Sequence, residues 1–191
     1  GRRRRGGLEH LGGPPGGGLP LQTFTTSTVY IGNERHSNGG TVTVSSLLAG
    51  GASALPASLQ IYGNNVVLQA GVTVTGVLGI YGYYAIDGNS TANALSLTAN
   101  NIYLESAAGR IFRSGTGVTN INGVPNPASS STGYFLSAAL GADLPGTVTA
   151  TNQTYTVSSG DLTLGASTPD GVNSLGLVTG NTVTINVPNG A

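Results

Sequence analysis

Between Ser58 and Leu68 the chain reads S-L-Q-I-Y-G-N-N-V-V-L. Apolar Leu59 and Ile61 alternate with polar neighbours, two asparagines intervene, and alternation resumes at Val66 and Leu68. The pattern returns from Ala94 to Leu104 as A-L-S-L-T-A-N-N-I-Y-L, with Leu95, Leu97, Ile102 and Leu104 in matching places. A period of two marks a strand buried on one side, because successive side chains point to opposite faces. Strand, asparagine corner and strand, written twice at a spacing of 36 residues, predict a protein built by stacking similar turns. On this reading Asn64, Asn65, Asn100 and Asn101 occupy equivalent corners, where stacked amides satisfy one another.

Strand signal fills most of the remaining chain. Leu21 to Ile31 is rich in Thr, Phe, Val and Tyr, and Thr41 to Val44, Val72 to Val74, Thr147 to Thr151, Thr154 to Val157, Asp161 to Leu164 and Thr182 to Val187 alternate with the same period. The best helical candidate, Leu47 to Leu59, is broken by Gly50, Gly51 and Pro56. Turn residues separate the strands at Asn38-Gly39-Gly40, Gly63-Asn64-Asn65, Asp87-Gly88-Asn89, Asp170-Gly171 and Gly180-Asn181. The fold class is therefore all-β. A parallel β-helix, or solenoid, leads because a repeat has no reason to recur in a sandwich; a β-sandwich or jelly-roll with strand donation is the alternative.

Composition changes the picture of the surface. Charged residues are 7% of the 191, and every basic residue is arginine, against a usual quarter of charged residues. A surface wetted by hydroxyls and amides repels other copies weakly, which permits self-association. The charges are also segregated: residues 1–36 carry five arginines against two glutamates, and residues 37–191 carry two arginines against five carboxylates. Residues 1–20, rich in Gly and Pro, read as a flexible arm, and residues 21–191 as a single all-β domain. Arg2 to Arg5 serve as a solvated tail, a processing site or a docking segment; without interleaved aromatics they give no nucleic-acid partner. Absence of cysteine excludes disulfides and thiolate metal sites. No apolar run is long enough to span a membrane, and no apolar segment of a signal peptide follows the basic start.

The run A-L-S-L-T-A-N-N-I-Y-L-E-S-A-A-G-R-I at Ala94 to Ile111, with S-G-D-L-T-L-G-A at Ser159 to Ala166, resembles the repeats of filamentous-haemagglutinin-type autotransported adhesins. The likeness covers residues 58–113 well and 147–187 loosely. It implies a right-handed β-helix, an extracellular or cell-surface location, and adhesive or matrix roles without catalysis. The stretch Val124 to Ser131 and the following Tyr134 to Pro145 depart from regular repeats.

Candidate chemistry is sparse. His10 falls in the arm and His36 in a turn beside Glu34 and Arg35, so neither has a converging partner. Asp143, Asp161 and Asp170 would have to meet on one face to work as the paired carboxylates of a carbohydrate-cleaving enzyme, yet each sits where a turn ordinarily places Asp. Asp87-Gly88-Asn89 leaves a calcium loop incomplete. No catalytic residue, metal or cofactor is assigned, and the chain reads as a non-enzyme. Tyr62, Tyr81, Tyr83, Tyr84 and Tyr103 are the candidate surface aromatics, suited to sugar stacking, to subunit contacts or to packing between repeats. Leu21, Phe24, Thr26, Thr28 and Tyr30 form the candidate self-association strand, paired on its own body or on another copy.

The expectation is an extracellular structural protein that self-assembles into a filament, fibre or coat and adheres through its surface. Its partners are then further copies of itself, with glycans or other surface proteins. A carbohydrate-binding or carbohydrate-cleaving β-helix and a pilin-like sandwich subunit are the alternatives.

Overall fold

The computed structural model describes residues 28–32, 39–46, 58–88, 95–112, 121–125, 131–164, 178–179 and 182–190. Among them the chain is all-β, without a helix. The strands are β1 (Thr28–Ile31), β2 (Thr41–Val44), β3 (Ser58–Leu68), β4 (Val72–Thr73), β5 (Val77–Gly88), β6 (Leu95–Ala99), β7 (Asn101–Ser106) and β8 (Arg110–Ile111). They continue as β9 (Ile121–Pro125), β10 (Gly133–Ala138), β11 (Gly141–Leu144), β12 (Val148–Thr149), β13 (Asn152–Val157), β14 (Leu162–Leu164), β15 (Val178–Thr179) and β16 (Thr182–Asn186).

Every pairing among the described residues is parallel. The hairpins that would define the sandwich alternative do not occur among them. An eleven-stranded sheet and a five-stranded sheet result, and their pairings resolve into three ladders. The first runs through β1, β3, β5, β7, β10, β13 and β16. The second runs through β2, the later halves of β3 and β5, then β8, β11 and β14. The third runs through β4, β6, β9, β12 and β15. Along the sequence the chain visits the ladders in that order again and again.

Register puts like beside like. In the first ladder the inward positions run Val29, Leu59, Leu78, Ile102, Tyr134, Gln153 in one row and Ile31, Ile61, Ile80, Leu104, Leu136, Tyr155 in the next. The second ladder contributes Val42, Val66, Ile86, Ile111, Ala142 and Leu162, and the third Val72 and Leu97 with Leu95 and Ile121. Nearly all of these are buried and form one core cluster. Each Leu or Ile so buried contributes roughly 1.5–3 kcal/mol of transfer free energy, which suits a chain without disulfides.

Corners are held by backbone and hydroxyl groups. Between the third and first ladders, Asn100 N donates to Gly76 O at 2.8 Å, Gly133 N to Asn100 O at 3.0 Å, Asn152 N to Thr132 O at 2.9 Å and Thr182 N to Thr151 O at 3.1 Å. Thr132 and Thr151 reinforce this corner: Thr132 N donates to Thr151 Oγ1 at 3.3 Å, and Thr151 N to Thr132 Oγ1 at 3.0 Å. Between the first and second ladders Gly109 packs so closely on the Tyr84 carbonyl that a Cβ there would collide with it.

The two asparagine pairs are not equivalent. Asn64 and Asn65 lie inside β3, where its register on β5 shifts between the first and second ladders. Asn100 lies in the bend between β6 and β7, between the third ladder and the first. Ser58 pairs with Val77. Alternation, two asparagines and alternation again describe any corner between two half-buried strands, and the pattern does not say which. Nor do Asn64 Oδ1 and Asn100 Oδ1 satisfy one another: both are buried without a hydrogen-bond partner among the described residues.

Of the expected self-association strand, Thr28 and Tyr30 belong to β1 and pair with β3 of the same chain. Leu21, Phe24 and Thr26 lie outside the described residues, as do the whole 1–20 arm, His10, His36 and Asp170. No helix among the described residues is long and apolar enough to cross a membrane.

Candidate functional site

In-register parallel strands repeat a side chain at the strand spacing of about 4.8 Å, and on the outer face of the first ladder this repetition concerns aromatic rings. Tyr62 pairs with Tyr81, and their rings stack with centroids 4.8 Å apart and planes 12° from parallel. Tyr103 pairs with Phe135, and those rings stack at 4.8 Å and 17°. Glycines make room for them. At Gly79 a Cβ would fall against the Gln60 amide and within 2.8 Å of the Tyr81 ring; at Gly133 it would lie 2.5 Å from the Phe135 ring. A ring laid over a glycine covers backbone that the missing side chain would leave to water.

Register also fixes which rings are neighbours. One outward row runs Tyr30, Gln60, Gly79, Tyr103, Phe135, Thr154, Thr184, and the next Tyr62, Tyr81, Glu105, Ser137, Thr156, Asn186. The second row ends its aromatic part at Glu105. There Tyr81, Gly82, Tyr83, Glu105 and Ala107 line a shallow depression. Tyr83 and Tyr84 meet edge to face, with centroids 4.8 Å apart and planes at 86°. Of the five tyrosines singled out in the sequence, Tyr62, Tyr81 and Tyr83 thus cluster near Glu105, Tyr84 touches Tyr83, and Tyr103 belongs to the adjoining row. Among the described aromatics Tyr30 is the most exposed, at 64%. Nothing in the sequence marks Phe135 as a surface aromatic; the register of G-Y-F-L on N-I-Y-L does.

Two other tyrosines face inward. Tyr134 and Tyr155 are buried with ring centroids 5.9 Å apart. Tyr155 Oη donates a short hydrogen bond to Gln153 Oε1, and Gln153 Nε2 donates to Ala150 O at 3.2 Å. Burial pushes both phenols above their ordinary range, with the neighbouring Tyr155 adding to the effect on Tyr134. Together these groups make a polar cluster within the core.

Of the described acidic residues, Asp87, Asp143 and Asp161 lie on the second ladder and Glu105 on the first. Burial raises the Asp87 carboxyl, and Arg110, whose Nη2 lies 3.7 Å from Asp87 Oδ2, partly offsets the rise. Asp143 pairs with Thr163, while Ala142 N donates to the carbonyl of Asp161, which places both acids on the second ladder, apart from Glu105 on the first. No group of three or more metal-ligating side chains forms among the described residues. Among the described residues the best-built surface feature is the aromatic strip, which offers apolar faces, phenol tips and one carboxylate on one sheet.

Compared with known proteins, the chain matches no family model, no curated protein and no solved structure.

Proposed function

We propose that the three ladders are the sides of a parallel β-helix and that the chain is a structural subunit of an extracellular filament or coat. The recurrent visiting order, the corner rows of hydrogen bonds and the continuous apolar core support the winding. The observation that carries the assembly is at β16, the outer strand of the first ladder. Its inward-row residues Val183 and Ile185 stand 40% and 54% exposed. An uncharged strand edge with open apolar side chains invites another strand. The sparse surface charge, without lysine, supports an extracellular setting and close packing of copies.

Negative-stain microscopy and sedimentation of the purified chain over a concentration series test this reading. Polymers that grow with concentration are expected; a monomer throughout would overturn it.

The stacked pairs Tyr62–Tyr81 and Tyr103–Phe135 favour a second role, adhesion to glycans. Tyrosine presents an apolar ring and a polar tip, the pairing that sugar faces and hydroxyls require. Binding to immobilised oligosaccharides, lost in Tyr81→Ala with the fold intact, would support it; equal binding by the variant would remove it.

A further inference from the structure

The first and last strands of each ladder match in sequence. Tracing each row from strand to strand takes Thr28 through Ser58, Val77, Asn101, Gly133 and Asn152 to Thr182. By the same rows Val183 stands in line with Val29 and Ile185 with Ile31. The first strand of the ladder, T-V-Y-I, and its last, T-V-T-I, are thus one motif in one register. The second ladder repeats the correspondence. Its rows bring Leu162, Thr163 and Leu164 of β14 into line with Val42, Thr43 and Val44 of β2. In the third, Val178 and Thr179 of β15 stand in line with Val72 and Thr73 of β4.

From this we infer that copies stack head to tail, with β16 and β14 of one copy pairing in parallel with β1 and β2 of the next. The inference rests on the assembly reading above and names its interface. Because the described strands of each ladder run in one direction, a copy translated along the ladders presents a parallel partner, and no turning over is needed. Valine then meets valine and isoleucine meets isoleucine in the inward rows, which extends the core across the junction and covers Val183 and Ile185. None of the four strands carries a charge, so neither edge repels the other. Such a contact joins two different surfaces and does not close on itself, so it propagates as a filament.

Cysteine pairing tests the geometry, since the chain has no cysteine of its own. Tyr30 and Thr184 occupy the same outward row, and adjacent strands at about 4.8 Å suit a disulfide's usual Cα separation. Mixing Tyr30→Cys with Thr184→Cys under mild oxidation should give a covalent dimer, while either variant alone gives none; the double variant should give a ladder of multimers. Dimers from Thr184→Cys alone would show a two-fold, tail-to-tail contact and overturn the inference. Ile185→Asp provides the second arm. Because Ile185 is 54% exposed in the single chain, its thermal unfolding should stay unchanged while the polymer is lost. Polymer that persists in Ile185→Asp and yields no mixed disulfide would overturn head-to-tail stacking and leave the structural-subunit reading standing. A wild-type chain that stays monomeric would overturn both.

Discussion

The inward rows of the first ladder are aliphatic at one end of the ladder and aromatic and polar towards the other. At β3 and β5 they hold Leu59, Ile61, Leu78 and Ile80; at β10 and β13 they hold Tyr134, Leu136, Gln153 and Tyr155. All eight are buried. The aliphatic region needs only matched volumes, and any imperfection there appears as lost packing. The aromatic region carries polar groups into the core, so it also needs partners, which for Tyr155 and Gln153 the Tyr155–Gln153–Ala150 hydrogen bonds supply. One parallel ladder thus has two kinds of interior, one tolerant of alternative apolar side chains and the other dependent on a specific donor and acceptor.

The most damaging change belongs to the aliphatic side. Ile80→Ala in β5, which is flanked by β3 and β7, should destabilise by about 2–5 kcal/mol in urea unfolding; a loss below about 1 kcal/mol would show that this interior is loosely packed. On the other side, Gln153→Leu leaves the Tyr155 hydroxyl buried without its acceptor and should cost about 1–3 kcal/mol. Adding Tyr155→Phe to that variant removes the orphaned group and should restore part of the loss. A double variant weaker than Gln153→Leu alone would mean that ring packing, and not hydrogen bonding, governs this region.

Titration separates the regions further. The folded chain holds the phenol protons of Tyr134 and Tyr155 more tightly than the unfolded chain, whose tyrosines titrate near 10.0. Stability should therefore fall as pH rises above that value, and ultraviolet titration should show two of the eight tyrosines ionising only as the chain unfolds. Asp87, in β5, follows the same sign at acid pH. Its raised carboxyl makes stability highest below the ordinary 3.8 and lets it decline as pH rises through the folded value; Asp87→Asn should flatten that decline. The smallest effect concerns the outer face. A double-mutant cycle of Tyr62→Ala and Tyr81→Ala should give a coupling of about 0.2–1 kcal/mol, and no coupling would mean that the stacked rings contribute to binding alone.

Alternation in the sequence was enough to read strands, their buried positions and the all-β class, since Leu59, Ile61, Leu95, Leu97, Ile102 and Leu104 all lie in the core. Pairing was not legible. Asn64-Asn65 and Asn100-Asn101 look alike along the chain because both join half-buried strands, and only the third dimension separates a bulge inside β3 from a bend between sheets. Tyrosines were ambiguous for a related reason. In G-Y-F-L-S-A two aromatics are adjacent, so one must face in and the other out, and the choice falls to their neighbours Ile102 and Tyr103. The aromatic strip was therefore half visible: Tyr62, Tyr81 and Tyr103 stood out by type, but Phe135 and the stacking partners are properties of register.

The parallel ladders also decide how the molecule bears load. Their backbone hydrogen bonds run from strand to strand, along the direction in which β1, β3, β5, β7, β10, β13 and β16 succeed one another. Tension applied between β1 and β16 pulls on those bonds lengthwise and meets them a strand at a time, as a zip is opened, without shearing a whole ladder together. Under force applied that way, the end strands β1 and β16 are the first to be loaded, so the ladder opens from its ends inward.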